Sequence, residues 1–384
     1  MKPIYGKLAW AALCTASAAL AVGIEVDREG RYNLAFAQLV PAPFQADALA
    51  LLAHDAYDRG QVREGMLFSR LFVRRRPIPA EGLSLLAYGQ LQSHDENGAL
   101  ASILLAAQRG WRDRFTQDML INLALQSGEW DIAAERIIAL WRLGNSDDAL
   151  KSATAELLSH PGGIAAFNKT IGQEKYWANR FLLWAGSNLD ISTLGAVSME
   201  MAKNEARVDC AALSAKALDL VRTDRPKAAE ILWRTMCGSA RSNRSDSFDF
   251  NDDNLHGRPV GPFEWQYPEE PGLDREVDRT AGTTLIRYEN RNAVRTIIAK
   301  RNAVLIAGAH SARIEGAAKG EAGFRPLVLR ISCYLPNGTS FRLIEAEVGA
   351  GPTLFDVPGE NCASQELSLL SSRGSGEIRG LVVK

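Results

Sequence analysis

Three segments of this 384-residue chain align at a fixed 34-residue offset: Val62–Arg76, Glu96–Gly110 and Trp130–Gly144. A repeat of that length constrains the fold more than any single motif. Each copy is too small to bury its own apolar face and must stack on its neighbours. In register, Gly65, Ala99 and Ala133 share one position, and Met66, Leu100 and Ala134 the next. Ser69, Ile103 and Ile137 share another, as do Phe72, Ala106 and Leu140. Upstream, Leu52, Leu86 and Leu120 align, and so do Gly60, His94 and Gly128. Apolar residues at three- and four-residue spacing predict helices across 46–240, punctuated at Asp58-Arg59-Gly60, Ser127-Gly128 and Leu143-Gly144-Asn145. Small residues at 65, 99 and 133 predict a close approach of the two helices of each hairpin. Beyond residue 150 the period drifts, but hairpins continue through Tyr176–Gly186, Ser192–Lys203 and the pair at 209–221 and 225–239.

The run Gly128-x-Trp130-x-x-Ala133-x-x-x-Ile137, with Pro77 closing the first copy, resembles the tetratricopeptide repeat. His94 and Glu96 depart from that pattern in the second copy. The resemblance implies a helical solenoid of about six hairpins presenting a groove to other proteins. The Arg74-Arg75-Arg76-Pro77 run reads as a solvated helix end, where cations are favourable.

The N-terminus sets the compartment. Lys2 and Lys7 precede an apolar run, residues 8–24, which Glu25, Asp27, Arg28 and Glu29 end. Positive residues ahead of such a run stay on the cytoplasmic side, so the chain beyond residue 25 is expected to be exported. Residues 1–25 read as a signal-anchor in the inner membrane or as a signal peptide cleaved near Ala21. Cys14 follows Leu13 rather than a small residue, which argues against a lipoprotein cysteine.

Cysteine usage agrees with export. Cys210, Cys237, Cys333 and Cys362 make an even set with no C-x-x-C spacing, and four cysteines allow three pairings. Cys210 and Cys237 are placed symmetrically about the turn at Thr223-Asp224, at equal heights on an antiparallel helical hairpin, which predicts a bridge between them. Cys333 and Cys362 both fall in the β-rich part, where they can pair with each other.

At Gly238 the character changes. Residues 238–260 are rich in Ser, Asn, Asp and Arg without helical period and read as a linker, which gives a helical domain at 46–240 and a β domain at 248–384. Strands are predicted at Thr283–Tyr288, Arg295–Ile298, Ala303–Ala307, Leu327–Leu335, Ser340–Val348, Glu366–Leu370 and Glu377–Val383. Strict alternation puts Leu327, Leu329, Ile331, Cys333 and Leu335 on a core face and Val328, Arg330, Ser332 and Tyr334 on the other. Asn337-Gly338 supplies a tight hairpin turn. The fold class is therefore multidomain α and β: N-terminal anchor, helical repeats, and an antiparallel β-sandwich.

The order Gly261-Pro262-Phe263-Glu264-Trp265, then Ala281-Gly282-Thr283-Thr284-Leu285, then Gly376-Glu377-Ile378-x-Gly380-Leu381-Val382-Val383, is similar to galactose-binding-like jelly rolls, the fold of many carbohydrate-binding modules. With the anchor and the helical repeats, the whole resembles bacterial envelope proteins linked to exopolysaccharide or capsule assembly. The resemblance implies a periplasmic scaffold with envelope or polysaccharide-assembly proteins as partners and a polysaccharide as ligand. Arg379-Gly380 stands where such folds carry an Asp, which puts a calcium site in doubt.

Sugar recognition needs exposed rings, and Trp265, Tyr267, Tyr288, His310 and Tyr334 are the candidates. Trp265, alternating with Phe263 and Tyr267, reads as a core anchor, whereas Tyr334, opposite the core face, is the best candidate for an exposed ring. No catalytic, cofactor-binding or metal-ligating motif is present: no H-E-x-x-H, no G-x-S-x-G and no phosphate loop before a helix, and Gly374-Ser375-Gly376 lies between predicted strands. Asp252-Asp253 with Glu264 would supply the carboxylate pair of a polysaccharide-processing enzyme, an alternative reading; acidic residues in a polar linker are usually just solvated. Lys plus Arg is 44 against 45 acidic residues, so no basic footprint points to nucleic acid.

Overall fold

The computed structural model describes residues 2–110, 113–171, 177–237, 248, 250, 259–280, 283–315 and 327–384. Their contacts fall into two compact units, Met1–Ile137 and Ile138–Lys384.

The first unit opens with helix α1 (Lys2–Gly30) and the short α2 (Leu34–Leu39), followed by α3 (Ala48–Asp58), α4 (Val62–Arg75), α5 (Glu81–Gln92), α6 (Glu96–Arg109), α7 (Arg114–Ser127) and the start of α8 (Trp130–Arg142). The starts of α4, α6 and α8 fall at the 34-residue offset seen in the sequence. Ala99 and Ala133 are buried, and Gly65 is packed so closely that a β-carbon there would lie 2.4 Å from the Tyr57 ring. The residue that turns each hairpin is left-handed in all three copies: Gly60 (φ 73°), Gly128 (φ 74°) and also His94 (φ 62°). A side chain pays strain in that region where glycine does not, so the second copy keeps the geometry without the residue that suits it.

α1 does not stop where its apolar run stops. It continues to Gly30, and the carboxylate of Asp27 accepts hydrogen bonds from the backbone N–H groups of Ala46, Asp47 and Ala48 at 2.8, 2.9 and 3.1 Å. These are orphan donors at the start of α3, so α1 caps it from outside. Arg75 donates to the carbonyls of Ala42 and Gln45, and Arg76 pairs with Asp47. The arginine run is thus engaged with the loop before α3, not merely solvated as the sequence suggests.

The second unit holds the rest of α8, then α9 (Asp148–Leu158), α10 (Pro161–Ile171), α11 (Ala178–Asn188), α12 (Ile191–Lys203), α13 (Cys210–Arg222) and α14 (Pro226–Met236). Asp224, left-handed at φ 68°, turns the last hairpin, and a disulfide joins Cys210 to Cys237 at its open end. Among the described residues, ten strands follow: β1 (Leu273–Thr280), β2 (Thr283–Asn290), β3 (Thr296–Ala303), β4 (Gly308–Glu315), β5 (Leu327–Tyr334), β6 (Ser340–Val348), β7 (Thr353–Val357), β8 (Gln365–Ser371), β9 (Gly374–Ile378) and β10 (Gly380–Val383). They form sheets ordered β1-β2-β9, β10-β4-β7 and β3-β8-β5-β6, all antiparallel. Residues from all three sheets share one core around Trp265, Ile298, Ile331 and Leu367. The second disulfide, Cys333–Cys362, ties β5 to the segment before β8.

Several strand expectations change. The strand expected at Ala303–Ala307 is not formed: Ala303 is the last residue of β3, residues 304–307 are a connection, and β4 begins after them. The expected strand at Glu377–Val383 is two: β9 and β10 join different sheets, with Arg379 between them. Gly374-Ser375-Gly376 lies within β9. The Asn337-Gly338 turn is present, with Gly338 at φ 81° and its N–H donating to the Leu335 carbonyl at 2.9 Å. The compact units divide inside α8, and the sequence boundary at 238–260 marks a change of secondary structure across which packing continues. Ser214 Oγ donates to the Val260 carbonyl and Ser364 Oγ to the Val221 carbonyl.

Candidate functional site

A cleft of about 1050 Å³ opens in the first unit, walled by Arg31 just past α1, by α3, α5, the end of α6 and α7, and by the loop ahead of α5. Its floor is aromatic. Tyr57, Tyr88 and Phe115 contact edge to face, with ring centroids 5.1 and 5.7 Å apart along the row. Such pairs add favourable quadrupole contact to their buried area and hold one another in place. Tyr57 is further fixed through its hydroxyl, which donates to the Leu85 carbonyl at 3.0 Å and lies 3.1 Å from Ser69 Oγ. Burial pushes the Tyr57 phenol above its usual pKa, against the smaller effect of the Ser69 hydrogen bond. The absence of a side chain at Gly65 and Gly89 makes room for this ring: a β-carbon at Gly89 would lie 2.3 Å from the Tyr57 oxygen.

The walls carry both signs of charge. Arg31, His54, Arg109 and Arg114 line the cleft together with Asp58, Glu81 and Asp113. Arg31 pairs with Glu81 at 4.0 Å, and Arg114 lies along Asp118 at 2.8 Å. Asp113 is occupied structurally. Its Oδ2 accepts from Thr116 N at 2.8 Å as the cap of α7, and its Oδ1 lies 3.1 Å from Ser84 Oγ. Arg109 donates to the Pro77 carbonyl, which fixes the loop that carries Ile78 at the rim. An aromatic floor with polar, charged walls suits an extended peptide: rings pack against its apolar side chains, and the walls answer its backbone and charges. Among the described residues, no group of three or more His, Cys, Asp or Glu is placed to hold a metal ion.

The sequence does not single out this cleft. His54 and Tyr88 share the 34-residue register, but Tyr57 and Phe115 fall at other positions, so the aromatic row is assembled across registers.

The rings considered for sugar contact are mostly inside the sandwich. Trp265 is fully buried, its indole N–H donating to the Phe248 carbonyl at 3.1 Å. Tyr288 is 6% exposed, and burial pushes its pKa up to about 12. Tyr334, expected to be exposed, is 8% exposed. The alternation of β5 holds, but its second face is covered. The Arg222 guanidinium at the end of α13 lies 5.9 Å above the Tyr334 ring, and the hydroxyl donates to Glu366 at 3.0 Å. Burial, then the Glu366 charge, push this phenol up to about 12. Two candidates keep exposed surface: Tyr267, which carries Arg275 5.2 Å from its ring centre, and His310, stacked on Phe355 at 5.5 Å. Of the carboxylate grouping, Asp252 and Asp253 lie outside the described residues, and Glu264 is buried, accepting from Gly261 N at 2.9 Å.

No family model matches the chain, and no curated protein does. Among solved structures, a glycosylation-associated protein (Gap123) complex from Streptococcus agalactiae is similar over 36% of this chain, at 14% identity and a TM-score of 0.27. The chain spans 44% of that structure's chain. Accessory secretory protein 1, 2 and 3 of Streptococcus pneumoniae matches 37% of this chain and 96% of its own, at 12% identity and a TM-score of 0.26. CBM4 matches 37% of this chain and 99% of its own, at 14% identity and a TM-score of 0.23. At these scores the likenesses carry no weight for function, which rests on the residues themselves.

Proposed function

We propose that this protein is an exported, membrane-tethered adaptor that binds rather than catalyses. Its helical array, read as tetratricopeptide-like, takes an extended segment of a partner protein in the cleft floored by Tyr57, Tyr88 and Phe115. The aromatic row in an open cleft is the observation that carries this reading. The apolar α1 and the two disulfides support placement outside the cytoplasm. Envelope or polysaccharide-assembly proteins are the partner class that such an anchor and array would serve. Sugar recognition by the sandwich stays part of the proposal only at Tyr267 and His310. Burial of Trp265, Tyr288 and Tyr334 favours the second reading, a sandwich that is structural.

Peptide display on the full chain tests the cleft. Selected peptides should bind at least tenfold more weakly to Tyr88→Ala and to Arg114→Glu, with the fold intact by circular dichroism. Peptides that bind both variants as tightly as the native chain would sink the assignment. A glycan array probed with the full chain separates the two roles of the sandwich. Binding lost in Tyr267→Ala and His310→Ala supports sugar recognition, and no binding at all leaves the sandwich structural.

A further inference from the structure

Resting on the reading of α1 as a membrane anchor, we infer that Ile24, Tyr32, Phe36 and Leu39 form a foot that seats the first helical unit in the interfacial layer of the bilayer. The argument begins with a length. α1 is apolar from Leu8, but it does not stand free for its whole apolar stretch. At Gly23 it begins to pack, where a β-carbon would lie 2.9 Å from the Phe44 ring, and Asp27 and Gly30 are buried against the start of α3. The part exposed all round is residues 8–22. Fifteen residues at 1.5 Å rise reach about 22 Å, roughly 8 Å short of a 30 Å hydrocarbon core. A short span is met by thinning the bilayer or by drawing flanking groups into it.

The flanking groups are of the kind that can be drawn in. Ile24 is 60% exposed although the helix around it is packed, and beyond α1 come Tyr32 at 77%, Phe36 at 42% and Leu39 at 71%. α2 is buried on its Ala37 side and shows Phe36 and Leu39 on the other. The Arg31 guanidinium lies 5.8 Å from the Tyr32 ring centre, a cation beside an aromatic as befits the headgroup layer. Exposed Glu25, Arg28 and Glu29 in the same stretch keep the contact at headgroup depth. At the other end of the span, Trp10 is 67% exposed next to Lys7. From Trp10 to Gly30, where α1 ends, the helix rises about 30 Å, and Tyr32 lies in the turn just beyond, so aromatic rings stand at both ends of a span of bilayer length. The occupant of this apolar surface is therefore lipid, not a protein groove partner.

The test uses the full chain with Cys14→Ser, its disulfides intact, in vesicles of phosphatidylethanolamine and phosphatidylglycerol at 3:1. A bimane probe is placed at Leu39→Cys and, as control, at Glu135→Cys on the exposed side of α8. The Leu39 probe should be quenched at least twofold more than the control by lipid carrying a nitroxide near the headgroup, and at least twofold less by aqueous iodide. A carbonate-resistant chain whose Leu39 probe is as open to iodide as the control overturns the foot but not the anchor. A chain released by carbonate with an iodide-open probe overturns both. Protection that vanishes on dilution to one chain per vesicle means a second copy covers the face, and overturns the assignment to lipid.

Discussion

Gly65 shows how one missing side chain shapes the cleft. A methyl group there would enter the Tyr57 ring, which has no freedom to retreat because its hydroxyl is held by Leu85 and Ser69. Gly65→Ala is expected to destabilise the chain by about 1–3 kcal/mol, the range for overpacking, and to weaken peptide binding in the cleft. Thermal denaturation checks the first effect, and an unchanged melting temperature would mean that the ring can move. The buried phenols make a second prediction. Tyr288 and Tyr334 have pKa values raised from 10.0 to about 12, so the fold holds them protonated while the unfolded chain lets them ionise. Between those values the unfolded state binds fewer protons, so stability present below pH 10 is lost as pH rises towards 12. Melting temperature followed across that window should fall less steeply in a Tyr288→Phe/Tyr334→Phe double variant than in the native chain.

At the scale of elements, what the sequence discloses depends on whether burial follows a period. Helices α4, α6 and α8 are legible because Gly65, Ala99 and Ala133 recur at one register and are buried together. The hairpin turns are legible at Gly60 and Gly128 but hidden at His94, where the backbone takes a shape its residue does not advertise. The cleft is not legible, because Tyr57, Tyr88 and Phe115 meet through helix packing rather than through a shared register. The exposure expected of Tyr334 fails for the same reason: α13, more than 100 positions earlier in the chain, supplies its cover. Strands β1, β4 and β7 escape notice because each buries few apolar residues, β1 none completely. The α13–α14 hairpin is the opposite case, since equal distances from Thr223-Asp224 were enough to pair Cys210 with Cys237. Removing that bridge with Cys210→Ala/Cys237→Ala should cost roughly 3–4 kcal/mol in the loop-entropy account, read by denaturant unfolding of the oxidised chain. A loss below about 1 kcal/mol would show that packing alone closes the hairpin.

For the molecule as a whole, the segment 238–260 divides the chain in composition without dividing its contacts. Arg222 covers Tyr334, Ser364 donates to the Val221 carbonyl, and Thr223 stands 3.9 Å from where a β-carbon of Gly338 would be. A chain carrying a specific protease site within 241–247 should therefore stay one species on gel filtration after complete cutting. Separation of a helical piece from a β-rich piece without denaturant would show that these contacts are too weak to hold them.

Arg31 follows directly on the last residue of α1 and already lines the cleft. If α1 spans a bilayer and the cleft takes a partner's segment, as proposed, this leaves no slack between tether and recognition site. Encounter becomes a lateral search in two dimensions, and a partner anchored in the same sheet of lipid presents its segment at a nearly constant height. Effective concentration then depends on the partner's own stalk: it is highest for a segment leaving the membrane within a few residues, and it falls as a longer flexible stalk spreads that segment through a larger volume.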